Sequence, residues 1–321
     1  MKRYFTRTKE SALIIPAKPS LGGWFKLTAI RPDGRERPLT DWFPNLITDG
    51  GLNRIGTGGF LTNCHVGSGT VAPATTDTAL QTFVANKTNA LSSSSAAQAS
   101  PPYYGSFTRT FRFDEGTAAG NLSEVGVGWG ATASGPLFSR ALIVDALGDP
   151  TTITVLADEV LDVSYQLRLY PPLTDTVVAV TDSGPDATIH TVTVRASNVT
   201  SSGSNNTFGW SPDGNSTTLS PVQLGQFFSG AIGSITGQPS GSTFNVSSSQ
   251  VFQSAYSNNS LEVVGGYSIG LTNANFGGIE SLRFPARGLG VYQAGFDPII
   301  PKDDTKVLTV NFKVSWGRHT P

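Results

Sequence analysis

NLSEVGVGWGATASGPLFSRALIVDALGDPTTITVLADEVLDVSYQLRLYPP, residues 121–172, decides the fold class. Ser123, Val125 and Val127 alternate with Glu124, Gly126 and Gly128, and three further apolar or alternating runs follow at 137–144, 151–156 and 160–170. Alternation of period two marks strands, and the turn formers Gly148-Asp149-Pro150 and Ala157-Asp158-Glu159 cut one run from the next. In the last run Val160, Asp162, Ser164, Gln166 and Arg168 share one face, and Leu161, Val163, Tyr165, Leu167 and Leu169 share the other. The first face is expected to be wet and the second to be core.

The rest of the composition agrees. The chain has 321 residues, 36 Gly, 20 Pro and only 14% charged residues, a mixture suited to strands and turns rather than to helices. Its length allows two or three domains. The formal net charge of -1 gives no electrostatic argument for nucleic acid. A single cysteine excludes an internal disulfide, and Cys64 beside His65 lacks partners at zinc spacing, so it reads as a small buried hydrophobe. No apolar run reaches spanning length and no signal-peptide core follows the basic start, so the expectation is a soluble protein made in the cytoplasm, without membrane insertion.

Residues 1–40 carry nine basic side chains, among them Lys2, Arg3, Arg7 and Lys9, against Glu10, Asp33 and Glu36. This segment is read as a basic arm and hairpin, with those four residues as anchors on an acidic neighbour, and with Arg31-Pro32-Asp33-Gly34 as the hairpin turn after a strand at 24–30. A short helix is expected at 50–55, a strand at 60–66 and a loop at 67–77. Gly67-Ser68-Gly69 lacks the Lys and the following helix of a phosphate loop. The low-complexity run 88–102 is expected to be an exposed loop, and Asp114, Glu115 and Glu124 to be solvated turn acids.

The blocks WFPNLITDGGLNRIGTG, CHVGSGTVAPATTDTAL, FRFDEGTAAGNLSEVGVGW and LFSRALIVDALGDPTTITVLADEVLDVSYQLRLYP stand in this order between Asp41 and Pro172, about four tenths of the chain. In this region the chain resembles the tail fibre proteins of tailed bacteriophages and prophages. The resemblance implies a non-enzymatic, multimeric virion component of the tail fibre, tail tip or baseplate, and brings no catalytic residues with it.

After Pro172 a second unit is expected, with strands at 177–180 and 189–196 and with His190 on the same face as Val192 and Val194, a satisfied or semi-buried strand histidine rather than a base. Residues 307–316 echo 160–170, which suggests two related strand-built bodies. The fold expectation is therefore all-β: an extended N-terminal arm at 1–40 and tandem β-sandwich domains at 41–172 and 173–321. Between 197 and 267 aromatic residues are interleaved with amides and serines. Asn205, Asn206, Phe208, Trp210, Tyr256, Asn258 and Asn259 are the candidate binding residues, since rings cover apolar faces while amides donate and accept.

The expected function is attachment of a virion to a bacterial surface receptor, saccharide or protein, by a homotrimer that also contacts other tail or baseplate proteins. No cofactor or metal is expected; Asp297, Asp303 and Asp304 lack the ordered spacing of a calcium loop. Two alternatives stand beside it. One is a baseplate or tail-tip scaffold touching only other subunits. The other is a polysaccharide-degrading enzyme using acids such as Asp175, Asp182, Asp186, Glu262 and Glu280.

Overall fold

Two strands of equal length, Ser20–Ile30 and Val160–Tyr170, run antiparallel from Ser20 opposite Tyr170 to Ile30 opposite Val160 in the computed structural model. The structure describes residues 14–182, 187–201, 210, 223–286 and 288–320. Burial alternates strictly along both strands, so the period read in the sequence is the period of the sheet. Leu21, Phe25, Leu27 and Ala29 of one strand and Leu161, Val163, Tyr165, Leu167 and Leu169 of the other are all buried. Gly105–Phe113 continues this first sheet beside Val160–Tyr170, and Ser92–Ala97 forms its edge.

That edge corrects the expectation of a loop over 88–102. Ser and Ala carry little strand propensity, but the ladder bonds belong to the backbone, and pairing with Gly105–Phe113 supplies them. The expected hairpin is present: Gly34 takes φ 80° and donates to Arg31 O at 2.8 Å, and Glu36–Pro38 returns along Thr28–Ile30.

A second sheet has the order Leu46–Ile47, Leu137–Leu142, Glu124–Gly128, Asn63–Gly67, Phe83–Thr88. Phe138 from this sheet stacks on Phe60 at 4.7 Å and meets the edge of Tyr165 from the first sheet at 6.5 Å. Each such ring contributes roughly 1.5–3 kcal/mol by leaving water. The helix Asp49–Ile55 crosses one end, capped by Thr48, whose hydroxyl accepts from Gly51 N–H at 2.8 Å. Gly51 is required where it packs, since a Cβ there would collide with the carbonyl of Phe138.

Two further sheets follow. One has the order Ile14–Ala17, Leu308–Ser315, Glu262–Ile269, Val251–Gln253. The other runs Thr176–Thr181, Ile189–Ala196, Gly290–Ile300, Ile279–Ala286, Gln226–Phe228, Thr243–Asn245. Phe284 stacks on Phe312 at 4.5 Å and Phe227 meets Tyr267 at 6.1 Å, which joins these two sheets through their rings. A small ladder of Gly120–Leu122 with Ile153–Val155 completes an all-β, multi-sheet fold. Among the described residues no helix is long and apolar enough to cross a membrane.

The first and last described strands are sewn into sheets far from their own sequence neighbours. Ile14–Ala17 lies parallel to Asn311–Val314, two residues before the chain enters Ser20–Ile30. Gly317–Arg318 in turn lies parallel to Ser20–Leu21, and Arg318 donates to Asp49 Oδ1 at 2.5 Å. Part of the segment read as an arm and hairpin thus pairs within the sheets. Residues 20–30 are central to the first sheet because their apolar alternation matches that of 160–170 residue for residue. Lys2, Arg3, Arg7 and Lys9 lie outside the described residues.

Two kinds of ionisable group tie this packing to pH. His65 is buried and donates from Nε2 to Gly130 O at 2.8 Å, and burial holds its pKa below the ordinary 6.5. Its stabilisation is complete above pH 6.5 and is lost as the pH falls through its depressed folded value. Glu159 is also buried, and Arg37, donating at 2.8 Å from Nε, holds its carboxyl below the usual range. That contribution is complete above about pH 4.5 and is lost lower down. Urea midpoints measured from pH 8 to pH 3 are expected to fall in two stages, and His65→Gln to shrink the upper one. A midpoint flat between pH 7 and pH 5 contradicts the first assignment.

Candidate functional site: an aromatic cleft at the end of the first sheet

The wet face of Ser20–Ile30 carries Trp24, and the cross-strand register sets Gln166 opposite Trp24, Arg168 opposite Gly22 and Tyr170 opposite Ser20. Trp24 folds its ring back over Gly22: a Cβ at that glycine would stand 2.9 Å from Trp24 Cζ3. This frees space for Arg168, whose guanidinium lies 3.9 Å from the Trp24 ring centre and 4.5 Å from that of Tyr104. Its Nε donates to Gln166 Oε1 at 2.6 Å, which fixes the plane of the stack.

Tyr170 extends the array. Its ring lies 6.2 Å from Trp24 and 5.6 Å from Tyr104, and it stacks on His319 at 3.7 Å with an interplanar angle of 12°. His319 is held by Ser20, with Nδ1 3.1 Å from Ser20 Oγ, and its backbone N–H donates to Leu21 O at 2.6 Å. These rings border an open cavity of about 260 Å³. Ser20, Trp24, Tyr170 and His319 supply one wall, Pro102 and Tyr103 a second, and Pro171 with Leu173 a third. Four chain segments meet here: the start of Ser20–Ile30, the connection before Gly105–Phe113, the chain leaving Val160–Tyr170, and the segment after Gly317–Arg318 that carries His319.

No carboxylate is among the described residues that line the cavity, and Arg168, a cation beside it, lies flat against rings. Burial lowers the pKa of His319 and raises that of Tyr170, so both are neutral near pH 7. The cleft therefore presents ring faces and uncharged hydrogen-bonding groups, an arrangement suited to holding a ligand.

Several candidates from the sequence are placed elsewhere. Trp210 is not a loop aromatic facing solvent: it is fully buried, donates from Nε1 to Ser197 O at 2.8 Å and packs edge-on against Tyr292. Satisfying the indole N–H within the protein is what lets the ring enter the core. Asn205, Asn206 and Phe208 lie outside the described residues. Tyr256 is half-buried, stacks on Trp316 and donates its hydroxyl to Asn53 Oδ1 at 2.8 Å. Asn259, at φ 63°, donates its backbone N–H to the same oxygen at 2.7 Å, while Asn258 is exposed. The loop 255–259 is thus clamped to the helix Asp49–Ile55, and Trp316 Nε1 donates to Leu52 O at 2.8 Å in the same helix.

Among the acids considered for hydrolysis, none of the described ones lines the cleft. Asp175 pairs with Arg195, Glu262 with Lys313, and Asp182 accepts from the Thr188 backbone near His190. Asp186 lies outside the described residues. Glu124, expected to be solvated, is fully buried against Arg140. His190 is satisfied, as expected, with Nδ1 2.6 Å from Pro298 O, and is fully buried. Cys64 is buried, which pushes its thiol pKa far up. Among the described residues no group of three or more His, Cys, Asp or Glu is arranged to hold a metal ion.

The cleft residues were individually visible in the sequence, with Trp24 on an expected strand, Arg168 on the wet face and Tyr170 at a strand end. Their convergence was not, because Ser20 and His319 are 299 positions apart. No family model, no curated protein and no solved structure matches this chain.

Proposed function

We propose that the protein is a structural component of a phage tail, fibre or tail tip, that attaches the particle to its bacterial host. In this reading the four large sheets form two tandem β-sandwich bodies, copies assemble as a homotrimer, and the work is adhesion. The resemblance of residues 41–172 to tail fibre proteins supports the setting. The observation that carries the adhesive role is the aromatic cleft, an open, ring-walled site without a carboxylate among its lining residues, built on paired strands. A trimer would present three such clefts, and linked weak sites raise avidity without new contacts.

The test is direct. Labelled protein is expected to bind cells of the host bacterium, to compete with phage adsorption, and to sediment as three chains. A monomer that neither binds cells nor delays adsorption removes the proposal.

A further inference from the structure

We infer that the cleft bordered by Trp24, Tyr170 and His319 is a saccharide site that takes one pyranose ring, neutral or anionic, against its aromatic wall. The inference deepens the attachment reading, on which it rests only for the natural source of the glycan.

Size is the first argument. A cavity of about 260 Å³ lies just below the roughly 300–1,000 Å³ typical of sites for drug-sized molecules, so it suits a single ring-sized group. Surface chemistry is the second. A pyranose has a face of C–H groups, which seeks a ring, and a rim of hydroxyls, each of which both donates and accepts. The polar groups at the cavity are of the same two-way kind: the hydroxyls of Tyr103 and Tyr170 donate and accept, and the Ser20–His319 pair, joined through Nδ1, keeps the imidazole Nε2 and the remaining capacity of the serine hydroxyl. A proline-rich segment, the other ligand that favours aromatic grooves, offers carbonyl acceptors and few donors and leaves half of that capacity unused.

Charge is the third argument. Arg168 stands beside the wall and no acid is among the described lining residues, which disfavours a cationic amino sugar and tolerates a carboxylated one. Preorganisation is the fourth. Trp24 is seated over Gly22, Arg168 is clamped between two rings and tied to Gln166, and His319 is stacked and held by Ser20. Little side-chain entropy remains to be lost on binding.

The experiment titrates the full chain with methyl glycosides of glucose, galactose, mannose and N-acetylglucosamine, with glucuronate, with glucosamine and with a proline decamer. Binding is read by saturation transfer from protein to ligand and by tryptophan fluorescence. At least one neutral or carboxylated pyranoside is expected to saturate, with glucosamine weaker. Trp24→Leu is expected to weaken binding at least tenfold. Leu173→Trp, at an exposed rim position, is expected to fill the cleft and abolish binding with an unchanged melting temperature, so a folding defect cannot imitate the result. Saturation by the proline decamer alone, no saturation by any pyranoside, or affinity unaltered in Leu173→Trp overturns the inference. Absence of pyranoside binding in a protein that still attaches to cells overturns the inference and leaves the attachment reading intact. Pyranoside binding blocked by Leu173→Trp, in a protein that never attaches to cells, supports the inference and removes the attachment reading.

Discussion

Glu124→Ala is expected to destabilise the protein by about 3–5 kcal/mol, the scale for breaking a buried ion pair from one side. The carboxylate is wholly shielded from water and serves four donors. Oε1 accepts from Gly69 N–H at 3.0 Å and from Thr82 N–H at 2.7 Å; Oε2 accepts from Gln81 N–H at 3.0 Å and from Arg140 Nε at 2.9 Å. Arg140, itself buried, carries the network outward to Asp77 at 2.7 Å and to Val71 O at 2.8 Å. One side chain thereby anchors both ends of the long connection between Asn63–Gly67 and Phe83–Thr88, which has no regular structure of its own. Removing it orphans three backbone donors and leaves a buried guanidinium with only its outer partners. Glu124→Gln keeps the shape but turns an N–H₂ toward donors, so it should fall between wild type and Ala. The double variant Glu124→Ala, Arg140→Met should lose less than the sum of the single losses, because each single change already strands the other partner. Denaturant unfolding of the four proteins measures this; additive losses show that the pair is not acting as a unit.

Glu124 also shows where the sequence could not be read. Within 123–128 the alternation of Val with Gly and Glu suggests one wet face, yet all five residues of Glu124–Gly128 are buried. The second face is covered by the connection 67–82, with Leu80 Cδ2 3.2 Å from where a Cβ on Gly126 would be. A strand covered on both faces and a strand covered on one can share a pattern when the second cover is itself irregular. The opposite held for Val160–Tyr170 and Ile189–Ala196, where the alternation of apolar and polar residues is long enough to fix bounds and facing. Ser92–Ala97 had no such signal, because serine and alanine leave strand formation to the partner. The cleft was the least legible part. Trp24, Tyr104, Arg168, Tyr170 and His319 come together only through the register of Ser20–Ile30 on Val160–Tyr170 and the parallel pairing of Gly317–Arg318 with Ser20–Leu21.

Gly105→Ala is expected to cost about 3 kcal/mol or more, at the upper end for overpacking a filled core. Gly105 opens the strand Gly105–Phe113, where it faces Leu169 on one side and Ala97 on the other, so its backbone is held by ladders along both edges. A Cβ at this position would collide with the carbonyl of Trp210. That carbonyl cannot turn away cheaply. Trp210 N–H donates to Ser201 O at 2.8 Å, its indole donates to Ser197 O at 2.8 Å, and its ring presses on Gly290, where a Cβ would stand 2.6 Å from Cη2. Trp210 is thus a wedge between the first sheet and the six-stranded one, seated where both backbones lack a side chain. Gly34→Ala is the control: Gly34 has φ 80° and open space around it, so only the left-handed backbone is penalised, about 1–2 kcal/mol. Calorimetry of the two variants separates clash from strain. Gly105→Ala should lower the midpoint more than Gly34→Ala, and if Trp210 couples the two regions it should also split or broaden the transition. A Gly105→Ala protein that melts with wild-type midpoint and width shows that the wedge does not hold these sheets together.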